Sequence, residues 1–152
     1  MIKTKVIAAL LALALSASTA LAATIEVDTN SRQLILYQDD GIIRTWPIGA
    51  PRRGFEWQGT MKITRKEEWP GWRPTAKMRK RHPDLPAYVP GGPDNPLGAR
   101  ALYLGSSLYR IHGSNEPDSI GMAASSGCIR MLNDHVIELY DLVPVGTTVI
   151  VY

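Results

Sequence analysis

One cysteine and one histidine stand close enough along this chain to form a nucleophile and its base. Cys128 is the only cysteine, and His112 is one of three histidines. They lie in the runs IHGS (111–114) and SSGCIRM (125–131), which a short polar loop separates. A thiol reacts as its thiolate, and a nearby histidine or electropositive pocket favours that form. The pattern predicts that Cys128 is a nucleophile and that His112 is its general base.

The surrounding sequence predicts elements that position both groups. His112 follows a strand-like run at 108–111, and Cys128 ends a loop rich in glycine and serine. Gly127 allows close backbone approach, so the amides of Gly127 and Cys128 could form an oxyanion hole. A third group usually orients the histidine. No acidic residue is an obvious choice, and the backbone carbonyl of Gly113 is our first candidate.

Residue chemistry alone leaves other roles open for the same two side chains. A single thiol cannot close an internal disulfide, so an intermolecular bridge or an inert buried thiol is the alternative to a reactive Cys128. Free cysteine is among the most buried residue types. A histidine at a strand end, such as His112, is commonly structural.

The N-terminal residues 1–22 have the pattern of a secretory signal peptide. Lys3 and Lys5 precede an apolar run at 6–15, and a small-residue cleavage signal ends at Ala22. We therefore expect one mature domain at 23–152, outside the cytoplasm and without an integral membrane segment after cleavage. An uncleaved N-terminal anchor is the alternative.

Charge and motif content exclude several classes of function. The formal net charge is +3 at pH 7, and removing Lys3 and Lys5 with the signal lowers it to +1. This charge does not indicate nucleic acid as a partner. No Cys/His cluster has metal-ligand spacing and no glycine loop has a phosphate-binding form, so the sequence implies no cofactor.

Short strands punctuated by turns predict a mainly β fold, either a β-sandwich or an open barrel. One helix is expected after Cys128, capped by Asn133 or Asp134 and ending near Leu142. The strand-like segments are 25–28, 33–37, 42–48, 59–68, 99–104, 108–111 and 147–152.

A long segment rich in proline and glycine, 69–98, interrupts the strands and contains aromatic residues. Its composition precludes a long helix or a central strand. Such a loop in a compact domain is usually functional, so we predict a lid in which Trp72 and Tyr88 contact substrate. The basic run 77–82 is expected to form a charged lid surface. Alternatively, Trp69, Trp72 and Tyr88 fill the core beneath the loop.

These motifs together resemble the catalytic domain of the L,D-transpeptidases, the YkuD-like family, in its Gram-negative periplasmic type. The His-Gly pair followed by Ser-x-Gly-Cys-Ile-Arg is similar to the family signature. The runs WRPT (72–75), PGGPDNPLG (90–98) and VPVGT (143–147) are similar as well, and the resemblance covers 24–152.

The resemblance implies a cysteine-dependent acyltransferase that acts on peptidoglycan stem peptides in the periplasm. In the family, the cysteine matched by Cys128 attacks the bond between diaminopimelate and D-Ala of a tetrapeptide stem. The histidine matched by His112 activates it, D-Ala leaves, and a thioester forms. An amine of a second stem then gives a 3→3 cross-link, or an envelope protein amine gives an anchored protein. Carbapenems acylate the same cysteine in this family.

The signature also assigns substrate-binding residues around the cysteine. Many members carry a second histidine two residues before the cysteine, where this chain has Ser126. We expect Ser125, Ser126 and Arg130 to contact the stem peptide. The Gram-negative members share the arginine at the position of Arg130, and its planar fork suits a carboxylate. Alternatively, Arg130 holds the loop by binding backbone carbonyls.

Two other functions remain open at this point. A thiol hydrolase on peptidoglycan, of the L,D-carboxypeptidase or amidase type, would use the same groups with water as the acceptor. A peptidoglycan-binding module without catalysis is the third possibility, and the presence of both Cys128 and His112 counts against it.

Overall fold

The computed structural model describes residues 22–152, so the predicted signal peptide at 1–22 lies outside the described residues except for Ala22. The strands are β1 Ala23–Asp28, β2 Gln33–Gln38, β3 Ile43–Pro47, β4 Ala50–Pro51, β5 Gly59–Glu68, β6 Arg100–Leu104, β7 Arg110–His112, β8 Ala123–Ser125, β9 Ile129–Arg130 and β10 Thr148–Val151. The helices are α1 Ala76–Arg81 and α2 Asn133–Leu142. The prediction of a mainly β fold is confirmed, while the short strands β4, β8 and β9 were not predicted.

Eight of the strands form one sheet in the order β3-β2-β1-β10-β5-β6-β7-β9. Buried and partly buried residues alternate along β1 and β10, and Ile25 lies in the core opposite Val149. The register between β5 and β6 shifts between Ile63 and Arg65. A bulge of this kind bends a strand and increases its twist, so the sheet curls at β5.

One apolar core stabilises the curled sheet and the helix that covers it. Fully burying an aliphatic side chain contributes about 1.5–3 kcal/mol, so the core fixes the strand ends that carry the site. Its largest fully buried side chains are Ile25, Leu34, Leu36, Ile48, Ile63, Leu102, Leu104, Ile111, Ile129, Met131 and Leu139.

Helix α2 packs against β6 and β7 and buries Val136 and Leu139. The predicted helix after Cys128 is confirmed, but the predicted cap is wrong. Leu132 occupies the N-cap position without a side-chain hydrogen bond, and Asn133 is the first helical residue. The Asn133 side chain is engaged by a neighbouring loop instead. The described residues also form one turn of 3-10 helix, Pro117–Ser119. None of the helices within residues 22–152 is long and apolar enough to cross a membrane.

The segment 69–98, here called the lid segment, contains the short helix α1, which the sequence did not predict. Thr75 caps this helix, because its hydroxyl accepts a 3.2 Å hydrogen bond from the Met78 amide. No α1 side chain is buried, and the basic residues of its last turn suit the negative end of the helix dipole. Trp69 and Tyr88 are 45% and 46% exposed, so they do not fill the core.

Two short strands hold the loop that leads to Cys128. β4 pairs in parallel with β8, and the Arg52 amide donates a 3.0 Å hydrogen bond to the Ser125 carbonyl. Gly49 and Arg130 exchange two backbone hydrogen bonds of 2.8 and 2.9 Å. The segment around Cys128 is therefore held by β4 and its flanking residues as well as by β7.

Candidate active site

A cavity of about 670 Å³ has both Cys128 and His112 in its lining. Among residues 22–152, its charged lining side chains are all cationic, and no Asp or Glu contributes to it. A pocket of this size and sign suits a small anionic ligand. The lysine and arginine residues that line it are Arg52, Arg73, Lys77, Arg81, Arg110 and Arg130.

His112 ends β7 and is 4% exposed. Its Nδ1 lies 2.6 Å from the backbone carbonyl oxygen of Gly113. A carbonyl oxygen only accepts, so Nδ1 carries the proton and Nε2 is left as the basic nitrogen. Burial lowers the pKa of His112 to about 3, with Arg130 and Arg110 adding to the effect and the Gly113 carbonyl opposing it. His112 is therefore neutral at neutral pH, as a general base must be.

Cys128 is half-buried and directly precedes β9. Its Sγ lies 3.8 Å from the Leu108 carbonyl oxygen. Burial raises the pKa of the Cys128 thiol, and the charges of Arg110 and Arg130 oppose that rise. With a protonated thiol and a neutral His112, the resting pair carries no net charge. It therefore differs from a preformed thiolate–imidazolium ion pair.

Arg110 reaches the thiol because β7 and β9 pair in parallel. Ile111 lies opposite Ile129, which brings the preceding residues, Arg110 and Cys128, side by side. Arg110 Nε is buried and has no hydrogen-bond partner among the described residues. The period-two alternation of a strand also places Arg110 on the same face as His112. A guanidinium beside the sulfur is positioned to stabilise negative charge there.

Three side chains fix the backbone around Gly127. Trp57 Nε1 donates a 2.7 Å hydrogen bond to the Gly127 carbonyl, and the Trp57 ring stacks on Tyr109 with centroids 4.4 Å apart. Gly127 has a φ of +118°, and a Cβ there would meet Tyr109 Cε1 at 2.5 Å, so only glycine fits. Ser125 Oγ accepts from the Gly127 amide at 3.2 Å and donates to the Cys128 carbonyl. The Gly127 amide is thus occupied, which leaves the Cys128 amide as the stronger oxyanion-hole candidate.

Asn133 positions the loop that follows His112. Its Oδ1 accepts hydrogen bonds from the Ala99 amide at 3.0 Å and the Ser114 amide at 3.2 Å. Its Nδ2 donates to the Ser114 carbonyl at 3.2 Å. A Cβ at Gly113 would meet Asn133 Oδ1 at 2.2 Å. Gly113 therefore makes room for Asn133 and also supplies the carbonyl that orients His112.

Arg130 lines the cavity and binds a carboxylate of the protein itself. Its Nη1 lies 2.8 Å from Oε2 of Glu116, whose side chain is 65% exposed. No side-chain hydrogen bond to a backbone carbonyl is formed by Arg130 within residues 22–152, so that alternative is not supported. Glu116 is held from the solvent side, so its carboxylate is screened by water while the Arg130 guanidinium is mostly buried.

Comparison with known proteins identifies the architecture that carries this site. The family model of the YkuD L,D-transpeptidase catalytic domain matches residues 22–151. The chain belongs to the YkuD family of L,D-transpeptidase catalytic domains. A relative from Escherichia coli K12, named Probable L,D-transpeptidase ErfK/SrfK, is 46% identical over 119 residues, covering 73% of this chain and 37% of the relative. This chain covers less than half of the length of ErfK/SrfK and 42% of a second Escherichia coli K12 relative, named Probable L,D-transpeptidase YbiS, to which it is 42% identical over 131 residues.

Solved structures share the fold of this YkuD domain. L,D-transpeptidase 3 from Mycobacterium tuberculosis matches with a TM-score of 0.69 and 16% identity over 87% of this chain and 61% of that one. The L,D-transpeptidase LdtMt1 in complex with imipenem matches with a TM-score of 0.67 and 16% identity over 87% and 59% of the two chains. At these identities the likeness establishes the fold, which agrees with the resemblance seen in the sequence.

The YkuD domain brings most of the predicted site residues into one cavity. Three of the predicted residues, Gly113, Gly127 and Tyr88, do not line the cavity. Tyr88 instead lies under the Arg73 guanidinium, with 4.5 Å between the Arg73 Cζ and the ring centroid. Tyr88 thus supports a cavity residue rather than facing the cavity itself. The predicted residues that line the cavity with Cys128 and His112 are Trp72, Ser125, Ser126 and Arg130.

Four residues that position the site were not predicted from the sequence: Trp57, Tyr109, Arg110 and Asn133. Arg110 carried a usable signal, because it stands two residues before His112 on one strand and so shares its face. The others reach the site through pairing of distant segments. Within residues 22–152, no group of three or more His, Cys, Asp or Glu side chains is arranged to hold a metal ion.

Proposed function

We propose that this domain is a peptidoglycan L,D-transpeptidase that works through a thioester on Cys128. One observation carries the proposal: the Cys128 thiol and a neutral His112 with a free Nε2 line the same cationic cavity. Family membership supports the reaction class. The stem peptide carries several carboxylates, and their charge complements that of the cavity.

In the first half-reaction, Cys128 Sγ attacks the diaminopimelate carbonyl carbon of the bond to the terminal D-Ala. His112 Nε2 takes the thiol proton and then gives it to the leaving nitrogen, so D-Ala departs and a thioester remains. The Cys128 amide donates a hydrogen bond to the developing oxyanion. Gly127 and Gly113 act through the backbone, the first by shaping the loop and the second by orienting His112.

In the second half-reaction, an amine attacks the thioester carbonyl carbon. His112 takes a proton from that amine and returns it to the sulfur as the thiol of Cys128 leaves. The amine of a second stem gives a 3→3 cross-link, and a lysine of an envelope protein gives an anchored protein. Water in place of the amine would give a carboxypeptidase.

Substrate recognition is assigned to the cavity wall beside the thiol. Arg130 binds a stem carboxylate in exchange for its exposed partner Glu116. Ser125, Ser126 and Trp72 line the same wall. Since a related L,D-transpeptidase has been solved with imipenem, we also propose that carbapenems acylate Cys128.

The proposed location is the periplasm. The signal-peptide pattern at 1–22 supports export, and the proposed substrate lies outside the cytoplasmic membrane. Residues 23–152 would form the mature catalytic domain.

A single incubation tests the proposed reaction. The protein comprising residues 23–152 is mixed with a disaccharide-tetrapeptide, and products are followed by mass spectrometry. Transpeptidation predicts a dimer formed with loss of one D-Ala, and no product from the Cys128→Ala variant. A His112→Ala variant should lose at least about a hundredfold in acylation rate, because it lacks the general base.

Other products would identify a different function. Monomeric tripeptide without dimer would indicate a hydrolase. No turnover of the tetrapeptide and no imipenem adduct on Cys128 would contradict catalysis and leave a binding module. Acylation at full rate in the His112→Ala variant would remove that histidine from its assigned role.

A further inference from the structure

Helix α1 forms one wall of the cavity, and there three cationic side chains surround one aromatic ring. The Arg52 Cζ lies 4.4 Å from the Phe55 ring centroid, the Lys77 Nζ 5.8 Å and the Arg81 Cζ 5.2 Å. We call Arg52, Lys77 and Arg81 the outer cationic cluster. All three line the same cavity as Cys128, and so does Phe55.

The outer cationic cluster has no anionic partner in the described part of the chain. The ion pairs formed by residues 22–152 involve none of its members. Of the two carboxylates nearest in sequence, Asp84 forms none of these ion pairs, and Glu56 accepts a hydrogen bond from the Gly54 amide. The positive charges are therefore balanced only by the face of the Phe55 ring, which attracts cations weakly.

Placing these charges together costs free energy in the absence of a ligand. Lys77 and Arg81 are four residues apart on α1, and like charges at this spacing destabilise a helix. Both face Phe55 and the cavity, while Arg79 and Lys80 of the same helix do not line it. A bound anion would relieve this repulsion.

The cavity thus has two cationic regions. Arg110 and Arg130 form the inner region beside Cys128, and the outer cationic cluster forms the second against the lid segment. A ligand that forms ion pairs with both cationic regions must carry at least two negative groups separated along its length. A peptide with one carboxylate near the scissile bond and another farther along its chain has this form.

We propose that the outer cationic cluster binds a second stem carboxylate, remote from the scissile bond, and so selects stems in which that group is free. This inference rests on the proposed function. The first carboxylate beyond diaminopimelate, on the side away from D-Ala, is the α-carboxylate of the γ-linked D-glutamate at position two. Amidation of that group removes the charge while leaving the scissile bond and the diaminopimelate carboxylates unchanged.

The test compares two tetrapeptide stems that differ only at that carboxylate, one with D-isoglutamate and one with D-isoglutamine. For the unsubstituted protein, kcat/KM for release of D-Ala should be about tenfold higher with the free carboxylate, through a lower KM. In a Lys77→Met/Arg81→Met variant this preference should fall to near one, because the free-carboxylate stem loses its partner.

The matched control is Arg79→Met/Lys80→Met, which removes the same number of charges from the same helix outside the cavity. This control variant should keep the preference for the stem with the free carboxylate. An equal loss of that preference in both variants would mean that the net charge of the helix, and not a specific site, attracts the stem. Equal kcat/KM for the two stems with the unsubstituted protein would overturn the inference without any variant. That result would leave the proposed function intact, while absence of turnover on both stems would overturn the function and this inference together.

Discussion

At the scale of single residues, the site combines a protonated thiol with a neutral imidazole. Burial disfavours charge on both groups, which raises the pKa of Cys128 and lowers that of His112. Arg110 and Arg130 favour negative charge on the sulfur and disfavour positive charge on the imidazole. They therefore assist formation of the thiolate while keeping His112 free to accept its proton.

The effect of Arg110 on the Cys128 thiol can be measured from the pKa and the alkylation rate of that thiol. Removing an opposite charge at close range changes a pKa by about 1–3 units, so Arg110→Met should raise the pKa of the Cys128 thiol and slow its alkylation at neutral pH by about tenfold or more. The rate of iodoacetamide modification is followed against pH. Arg110→Lys should restore part of the rate, because the charge is retained.

Arg65 provides a matched control for that measurement. Its guanidinium also stacks on Tyr103, at 3.7 Å compared with 5.2 Å for Arg110, but it does not line the cavity. Arg65→Met should leave the alkylation profile unchanged. An unchanged profile in Arg110→Met as well would show that this arginine does not act on the sulfur.

At the scale of elements, helix α2 connects the core to the site. Its first residue, Asn133, holds the loop after His112, so the position of the helix sets the position of His112. The other end is held by Lys66 of β5, whose Nζ donates to the carbonyls of Tyr140 at 2.6 Å and Val143 at 2.8 Å. A lysine at these carbonyls satisfies groups that the helix leaves unpaired.

Replacement of Lys66 should therefore weaken the attachment of α2. Lys66→Met keeps the apolar stem but loses two charge-assisted hydrogen bonds, and we expect the free energy of unfolding to fall by about 1–3 kcal/mol. Urea denaturation measures the change. Lys62→Met, an exposed position on the same strand, should alter stability by no more than about 0.5 kcal/mol. Equal effects of the two substitutions would contradict the anchoring role of Lys66.

At the scale of the whole molecule, the buried neutral His112 links folding to pH. Its pKa in the folded state, about 3, lies below its ordinary value of 6.5. Between these two pH values the unfolded chain binds one more proton than the folded chain does at this residue. The stabilisation that His112 contributes to the folded state is therefore fully present above pH 6.5 and declines as the pH falls towards 3.

A variant at His112 separates its contribution to the pH dependence of the free energy of unfolding from the contributions of other titratable groups. The free energy of unfolding should fall by up to about 1.4 kcal/mol per pH unit below pH 6.5 because of His112 alone. In His112→Gln this part of the slope should be absent, so the stability curves of the two proteins should converge as the pH falls. Urea unfolding at a series of pH values tests this, and parallel curves would contradict a neutral buried His112.

Local pattern was sufficient to predict much of the fold. The predicted strands match β1, β2, β3, β5, β6, β7 and β10 to within two residues at each end, because period-two alternation is a property of neighbouring residues. The strands β4, β8 and β9 are two or three residues long, too short to show any periodicity. They exist because distant segments pair. The helix α1 was missed for a similar reason, since its side chains are not buried and it shows no apolar face.

For the site, the sequence by itself supplied the candidate reacting groups, which are one cysteine and a histidine at a strand end, together with glycines where the backbone segments approach closely. Only the tertiary structure decided what surrounds them. The parallel pairing of β7 with β9 places Arg110 beside Cys128, and the approach of α1 to Phe55 gathers the outer cationic cluster. These contacts join segments far apart along the chain. Which of them form depends on strand order and register, and local sequence pattern does not specify either.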